Sequence, residues 1–514
     1  MERKDSVFTF GNAINIYYRD YELPIIINTD DQDQFNKNSK IKILGNDFDL
    51  KIMYPYFMSS SYYIESNDIV MVYNAVELIQ RPRLIIKAII ELRKKYGFSK
   101  FIYLPGVGDP YIMPVLVYAG ADIFDDIYIK EESLNGIKYT LMGKTKSYDN
   151  NLEENLSFSM DIISNIRSAI RTGTLREFVE KFQYSSKALE ILRILDNDYF
   201  YDYSRFFPRY TSYIKANTIE SLNRPDIMAY RNYIKNDYLK PDVDTLLILP
   251  CSAKKPYSKS KSHKKILGKI ERYRKFIHEV IVTSPVGLVP RELESMYPAG
   301  FYDIPVIGLW YEDEKKMIND LLKSYLSRNK YKNIVAYIDN DLDFINESGK
   351  FISIEGNILS EEKLSELESL LHDLTLNSPK RDHLFDYKSM LAYQFGPWIV
   401  KYLDNIKIVR SYNMDMVTKN GKALFVFNEK LGKFTLNRNG ADIFLDAGKN
   451  IVYIDDFRPT SYVFNAGITN ATDDIKPGDE VILVHDSEIR GVGTALISYR
   501  AMIDLNHGAG VKVR

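Results

Sequence analysis

Cysteine occurs once in these 514 residues, at Cys251. One thiol excludes an internal disulfide framework, and with it any zinc site built on three or four cysteines. Apolar runs of about 18 residues are missing, so no membrane span is expected. No secretory leader is read either, and the expected location is cytoplasmic. Charge of one sign is not in excess: 68 Lys and Arg stand against 69 Asp and Glu, a net charge of -1. A nucleic acid would therefore be held by local basic patches and not by a global field. No phosphate-cradling loop and no metal-ligand cluster is read, so neither a cofactor nor a metal is expected. What is there is ordinary for a globular chain, 45% hydrophobic and 27% charged, with a length that predicts three or four domains.

Reactive side chains concentrate in one stretch, Thr245 to His263. Thr245–Leu249 reads as a buried strand that Pro250 stops. Cys251, Lys254, Lys255, Tyr257, four serines and His263 follow in the loop before a helix. Groups just past the carboxyl end of a strand are where open α/β sheets build their sites. Cys251 is either a nucleophile, with its thiol lowered by Lys254, Lys255 and the next helix's amino end, or a packed thiol. His263 suits proton transfer near neutral pH, or capping. Lys255 and Tyr257 suit a phosphate or a carboxylate. Ser258, Ser260 and Ser262 suit an N-cap or an anion-binding turn. Downstream, Ser284–Trp310 reads as a long loop of the kind that is usually functional. Within it Arg291 suits a carboxylate clamp, and Glu292, Glu294 or Asp303 an ammonium.

The order Pro250-Cys251, three residues, Lys255-Pro256-Tyr257, two residues, Ser260, two residues, His263 resembles the signature of the archaeosine synthase alpha-subunit family. That resemblance implies a substrate, tRNA carrying 7-cyano-7-deazaguanine at position 15 of the D-loop. It implies addition of the side-chain amine of L-lysine across the nitrile, giving an amidine adduct that a radical-SAM partner subunit cleaves to archaeosine. On it, Cys251, Lys255, Tyr257, Ser260 and His263 are the catalytic candidates. Pro250, Arg291, Glu292, Glu294 and Asp303 are candidates for substrate binding.

Upstream, the run Gly106-Val107-Gly108, the helical stretch Tyr111–Ala119, Gly120–Asp126, Asn135-Gly136 and Thr140 resembles the last barrel units of tRNA-guanine transglycosylases. Gly106, Gly108 and Asp125 are the base-binding candidates on that likeness. The likeness then fails: Met58–Tyr62 carries no acid where a second carboxylate is expected, and no cysteines follow Thr140. A complete β/α barrel takes about 250 residues, more than this region offers. The expected architecture is multidomain α/β in four parts. They are a degenerate transglycosylase-like β/α barrel over 1–200, a three-layer α/β catalytic domain over 201–375, a small α+β domain over 376–440, and a C-terminal PUA β-barrel over 441–514 that binds RNA. Within these, helices are expected over Asp161–Phe182, Lys264–Ile277, Glu312–Leu326 and Glu361–His372. Tyr199–Arg209 is expected to be an aromatic, basic linker, used for base stacking or for packing at a junction. A base-exchange enzyme and a non-catalytic tRNA-binding subunit stay open beside the lysine-adding reading.

Overall fold

A computed structural model describes residues 6–31, 40–49, 63–182, 184–211, 213–305, 309–410 and 414–514. Met58–Tyr62 and part of the Ser284–Trp310 stretch, Val306–Gly308, lie outside the described residues. The chain divides into two compact units: Met1–Ser212 with Gly448–Arg514, and Tyr213–Ala447. No described helix is long and apolar enough to cross a membrane.

In the first unit, strands Ile25–Ile27, Ile123–Asp125, Phe101–Tyr103, Ile69–Val72 and Tyr63–Glu65 form one sheet in that order. All pairs are parallel except the last. Among the described residues the sheet has five strands in an open order, and it does not close into the expected β/α barrel. Successive side chains on a strand point to opposite faces, and here both faces are covered. Val70, Val72, Ile102 and Phe124 enter a core with the helices Pro82–Tyr96, Met113–Ala119 and Leu152–Thr172. Their neighbours Ile69, Met71, Phe101, Tyr103 and Ile123 enter a second core with Val452, Val463, Val481, Leu483 and Val511. The C-terminal domain thus completes the hydrophobic cover of a sheet laid down near the start of the chain.

That C-terminal domain is a six-stranded sheet ordered Tyr462–Phe464, Ala509–Val513, Glu488–Ala495, Glu480–His485, Ile451–Ile454 and Ile468–Ala471. Gly493 is demanded by the pairing, because a Cβ there would lie 2.5 Å from the carbonyl oxygen of Lys512. The aromatic linker resolves into a helix, Phe200–Ser204, and a segment fastened to this domain. Phe206 lies 6.0 Å from the Tyr499 ring, and the Arg209 amide donates to Pro477 O. The helix expected from Asp161 starts earlier, at Leu152, and breaks at Gly173 before Leu175–Lys181. The reason is that its first turns bury polar groups. Asn155 accepts from the Tyr139 amide at 2.8 Å and donates to Ile137 O, so apolar spacing alone misses it.

The second unit centres on a sheet of β1 (Thr245–Pro250), β2 (Ile277–Thr283), β3 (Gly287–Pro290), β4 (Asn333–Ile338) and β5 (Ile352–Glu355). Its order is β3-β2-β1-β4-β5, with β3 alone antiparallel. Helix α1 (Pro225–Asn236) packs with α3 (Glu312–Arg328), and α2 (Lys261–Ile270) packs with α4 (Glu361–Thr375). This is the expected three-layer α/β arrangement. Helix α2 begins and ends earlier than Lys264–Ile277, because Ser260 caps it and its buried face is His263, Ile266, Leu267 and Ile270. A four-stranded antiparallel sheet, Lys407–Arg410 to Lys433–Leu436, follows with the helix Phe385–Phe395 as the small α+β part.

The shared core generates a stability prediction. Each large apolar side chain uncovered loses about 1.5–3 kcal/mol, and whole domains hold only about 5–15 kcal/mol. Deleting 448–514 should therefore remove the cooperative thermal transition of the first unit. A truncated chain that keeps that transition at an unchanged midpoint would contradict the shared core.

Candidate active site at the end of the central strand

Three neighbouring parallel strands end side by side, because β1 lies between β2 and β4. Their carboxyl ends deliver Cys251 after β1, Thr283 and Ser284 from β2, and Asp339 after β4. These residues line a cavity of about 830 Å³, within the range of small-molecule sites. Pro250, Lys255, Tyr302, Trp310 and Tyr311 also line it. One wall, Ala216–Leu222, is fastened by a two-residue parallel bridge between Ile214–Lys215 and Tyr302–Asp303.

Around Cys251 the groups are hydroxylic and basic. Thr283 bonds the thiol, and Thr283 Oγ1 lies 2.6 Å from Tyr302 Oη, which lies 2.7 Å from Tyr257 Oη. Lys255 sets its Nζ 3.9 Å from the centre of the Tyr302 ring. Burial pushes the Cys251 thiol above its ordinary value, against the pull of Thr283 and Lys255. This corrects the expected lowered thiol: Lys255 pulls in the expected direction, but desolvation outweighs it. Burial also lowers the Lys255 amine, opposed by Cys251 and Asp303. The same desolvation thus shifts the thiol and the amine in opposite directions.

Beneath the cavity the remaining motif residues form a buried frame. Arg291 donates from Nε to Glu279 at 2.8 Å, from Nη1 to Glu294 at 2.8 Å, and from Nη2 to His263 Nδ1 at 3.0 Å. His263 Nε2 lies 2.9 Å from the Pro250 carbonyl oxygen. A carbonyl can only accept and a guanidinium can only donate, so the ring is neutral with its proton on Nε2. Burial first, then Arg291, lowers His263 to about 4. Ser260 accepts from the His263 amide at 3.1 Å, and Glu294 accepts from the Ser258 amide at 3.0 Å. Ser260 thus serves as the N-cap of α2.

The structure therefore brings Pro250, Cys251 and Lys255 together at the cavity, with Tyr257 behind them through the hydroxyl cluster. Ser260, His263, Arg291 and Glu294 support the strand end from below. Glu292 belongs to a separate buried set, accepting from Tyr238 Oη at 2.5 Å and Arg381 at 3.2 Å. Asp303 is exposed in the bridge strand. Gly106, Gly108 and Asp125 lie in the other unit. There Asp125 is fully buried, accepting from Tyr103 Oη and the amides of Gly106 and Ile127. A Cβ on Gly108 would lie 2.2 Å from the Asp125 carbonyl oxygen. Sequence reasoning missed Thr283, Ser284, Tyr302 and Asp339 as site residues. The available signal was positional, since three of them end strands that pair with β1 or follow such ends.

The family described as "Domain of unknown function (DUF5591)" matches residues 227–371, and the family described as "PUA domain" matches 458–514. The chain is 47% identical to the archaeosine synthase subunit alpha of Thermoplasma acidophilum over 479 residues, 93% of each chain. It is 30% identical to the archaeosine synthase of Methanocaldococcus jannaschii, covering 88% of this chain and 80% of that protein. A tRNA-guanine(15) transglycosylase of Methanococcus maripaludis is 24% identical over 84% of this chain and 68% of its own length.

The His263 geometry sets a pH dependence. Its folded value, about 4, lies below the ordinary 6.5, so the unfolded chain takes up the proton first as pH falls. Stability is therefore full above about pH 6.5 and is lost toward pH 4. Between pH 7.5 and pH 5 this histidine alone accounts for about 2 kcal/mol. His263→Gln should remove that share of the slope in urea unfolding midpoints; an identical pH slope in the variant would contradict the neutral, caged ring.

Proposed function

This chain belongs to the archaeosine synthase alpha-subunit family and acts in archaeosine biosynthesis in tRNA, and from that premise we propose that it adds the side-chain amine of L-lysine to the nitrile of 7-cyano-7-deazaguanine at position 15 of the D-loop. The observation that carries the reading is the placement of Cys251 and Lys255 together in the cavity at the end of β1. Cys251 Sγ attacks the nitrile carbon while Lys255 Nζ takes the thiol proton. That proton passes to the nitrile nitrogen, giving a thioimidate, Cys251–S–C(=NH)–R. The lysine amine then adds to the same carbon, the C–S bond breaks, and the thiolate recovers the amine's proton. The product is the amidine, R–C(=NH)–NH–lysine, with every atom of nitrile and amine retained. Thr283, bonded to the thiol, orients it for attack.

His263, Ser260, Arg291 and Glu294 hold the strand end in place in this scheme, and Tyr257 orients Tyr302 and Thr283. The C-terminal PUA domain supplies RNA contacts. Relatives named "subunit alpha" have by that name at least one further subunit. The partner we assign is a radical-SAM enzyme that cleaves the adduct. Base exchange in the first domain is the weaker reading, because the Asp125 carboxylate is buried and held by three donors.

Nitrile-bearing tRNA, incubated with lysine, glutamine or ammonia and digested to nucleosides, should gain the mass of lysine and of no other donor. Gain from glutamine or ammonia alone would reject the assignment. Cys251→Ser should lower the rate by about a thousandfold or more, since a hydroxyl is a poor nucleophile near neutral pH. Without lysine, a covalent protein–tRNA adduct should accumulate in the native chain and be missing in that variant. A serine variant active within about tenfold would mean direct attack by the amine.

A further inference from the structure

Positive and negative charge balance over the whole chain, but residues 254–275 hold ten Lys and Arg against one Glu. Part of that excess serves packing. Lys265 pairs with Glu361 at 3.0 Å and Lys269 with Glu368 at 3.1 Å, which ties α2 to α4. Arg274 donates to Glu279 at 2.8 Å. Lys254, Lys261 and Lys264 remain: all three are exposed, and among the described residues none meets a carboxylate. Folding does not ask for cations at these positions. Lys261 and Lys264 stand on the first turn of α2, where the positive end of the helix dipole opposes them. The first turns of α3 and α4 carry acids, and that of α2 carries none.

These lysines stand beside the cavity. Lys254 lies between Ser252 and Lys255, which both line it. The same turn of α2 carries His263, whose Nε2 lies 2.9 Å from the carbonyl of Pro250, the residue before Cys251. Lys261 and Lys264 are helical neighbours, about 5–6 Å apart at Cβ. We propose that Lys254, Lys261 and Lys264 form a ledge that holds RNA phosphates next to the reacting nucleotide, so that the unit Tyr213–Ala447 grips tRNA itself. The proposal rests on the reading that a tRNA base enters this cavity. Lysine is a flexible point charge suited to phosphate, and phosphate contacts fix position and register without reading sequence. The start of α3, where Asp313 and the Lys315-paired Glu312 line the cavity, repels the same polyanion. The backbone is thereby steered to the α2 side of the site.

The test titrates the full chain with nitrile-bearing tRNA by fluorescence anisotropy at a series of salt concentrations. Combining Lys254→Gln, Lys261→Gln and Lys264→Gln should lower the slope of log Kd against log salt by about 2–3, close to one per lost phosphate contact. The three Lys→Arg changes together should keep the native slope. So should Lys323→Gln, Lys330→Gln and Lys350→Gln combined, which remove the same charge from exposed sites elsewhere in the unit. A second measurement uses unaltered protein: tRNA should shield Lys254, Lys261 and Lys264 from an amine-acetylating reagent and leave Lys323, Lys330 and Lys350 reactive. An unchanged slope in the Gln variant overturns the proposal, as does equal acetylation with and without tRNA. An equal loss of slope in the control variant also overturns it, since net charge alone would then matter. Shielding by an acidic protein with none by tRNA overturns it in favour of a protein partner. Both readouts report binding and not turnover. A ledge that binds tRNA while no lysine is added would therefore reject the amine-transfer reading and uphold this one.

Discussion

The carbonyl of Pro250 is held by one neutral imidazole, and the geometry of the cavity follows from that contact. Pro250 is the last residue of β1 and Cys251 is the next, so whatever fixes this carbonyl fixes the direction in which the thiol leaves the sheet. His263 does so while its other nitrogen accepts from Arg291, and Arg291 is neutralised by Glu279 on β2 and Glu294 in the loop beyond it. Strand, loop and helix are thus joined through one buried guanidinium. Removing a partner from such a buried set typically costs about 3–5 kcal/mol, because the charge left behind has no solvent. The motif spends most of its polar residues on this frame and exposes few to substrate.

That division explains which parts of the site were legible in the sequence. Spacing marked Pro250 to His263 as one cluster, and the cluster is real. Spacing carries no information on whether a side chain points into a cavity or under it. His263 and Ser260 lie on the first turn of α2 and point inward, while Lys255 precedes the turn and reaches the cavity. The direction of the thiol shift also escaped the sequence, since nearby lysines are visible in a string of letters and desolvation is not. Asp339 and Ser284 stand far from Cys251 along the chain. They become its neighbours only through the order β2-β1-β4.

For the fold, long periodic segments were readable and polar-buried ones were not. Thr245–Pro250 and Asn333–Ile338 stand close to where their apolar runs put them. Leu152–Thr172 was clipped because Asn155 and Ser159 face inward, hydrogen-bonded to backbone carbonyls. The long loop after Thr283 proved to hold a strand, Gly287–Pro290, and the 3₁₀ turn Arg291–Leu293. Its four-residue apolar run is too short for periodicity to register. In the first sheet Ile69–Val72 and Phe101–Tyr103 are apolar at every position, which marks a sheet covered on both faces but does not say which distant segment supplies the second cover.

The packing of the first sheet against the C-terminal domain has a consequence for the order in which a ribosome can finish this molecule. The unit Tyr213–Ala447 is one continuous stretch and can close as soon as its own residues have emerged. The first unit cannot, although its opening residues are made earliest. Its sheet keeps one apolar face bare until Gly448–Arg514 has been synthesised. The nascent chain therefore carries a sticky, unfinished amino-terminal half through the making of the whole central unit. Sequence separations of this size slow folding and leave surface open to aggregation, so chaperone cover during translation matters most for the part made first.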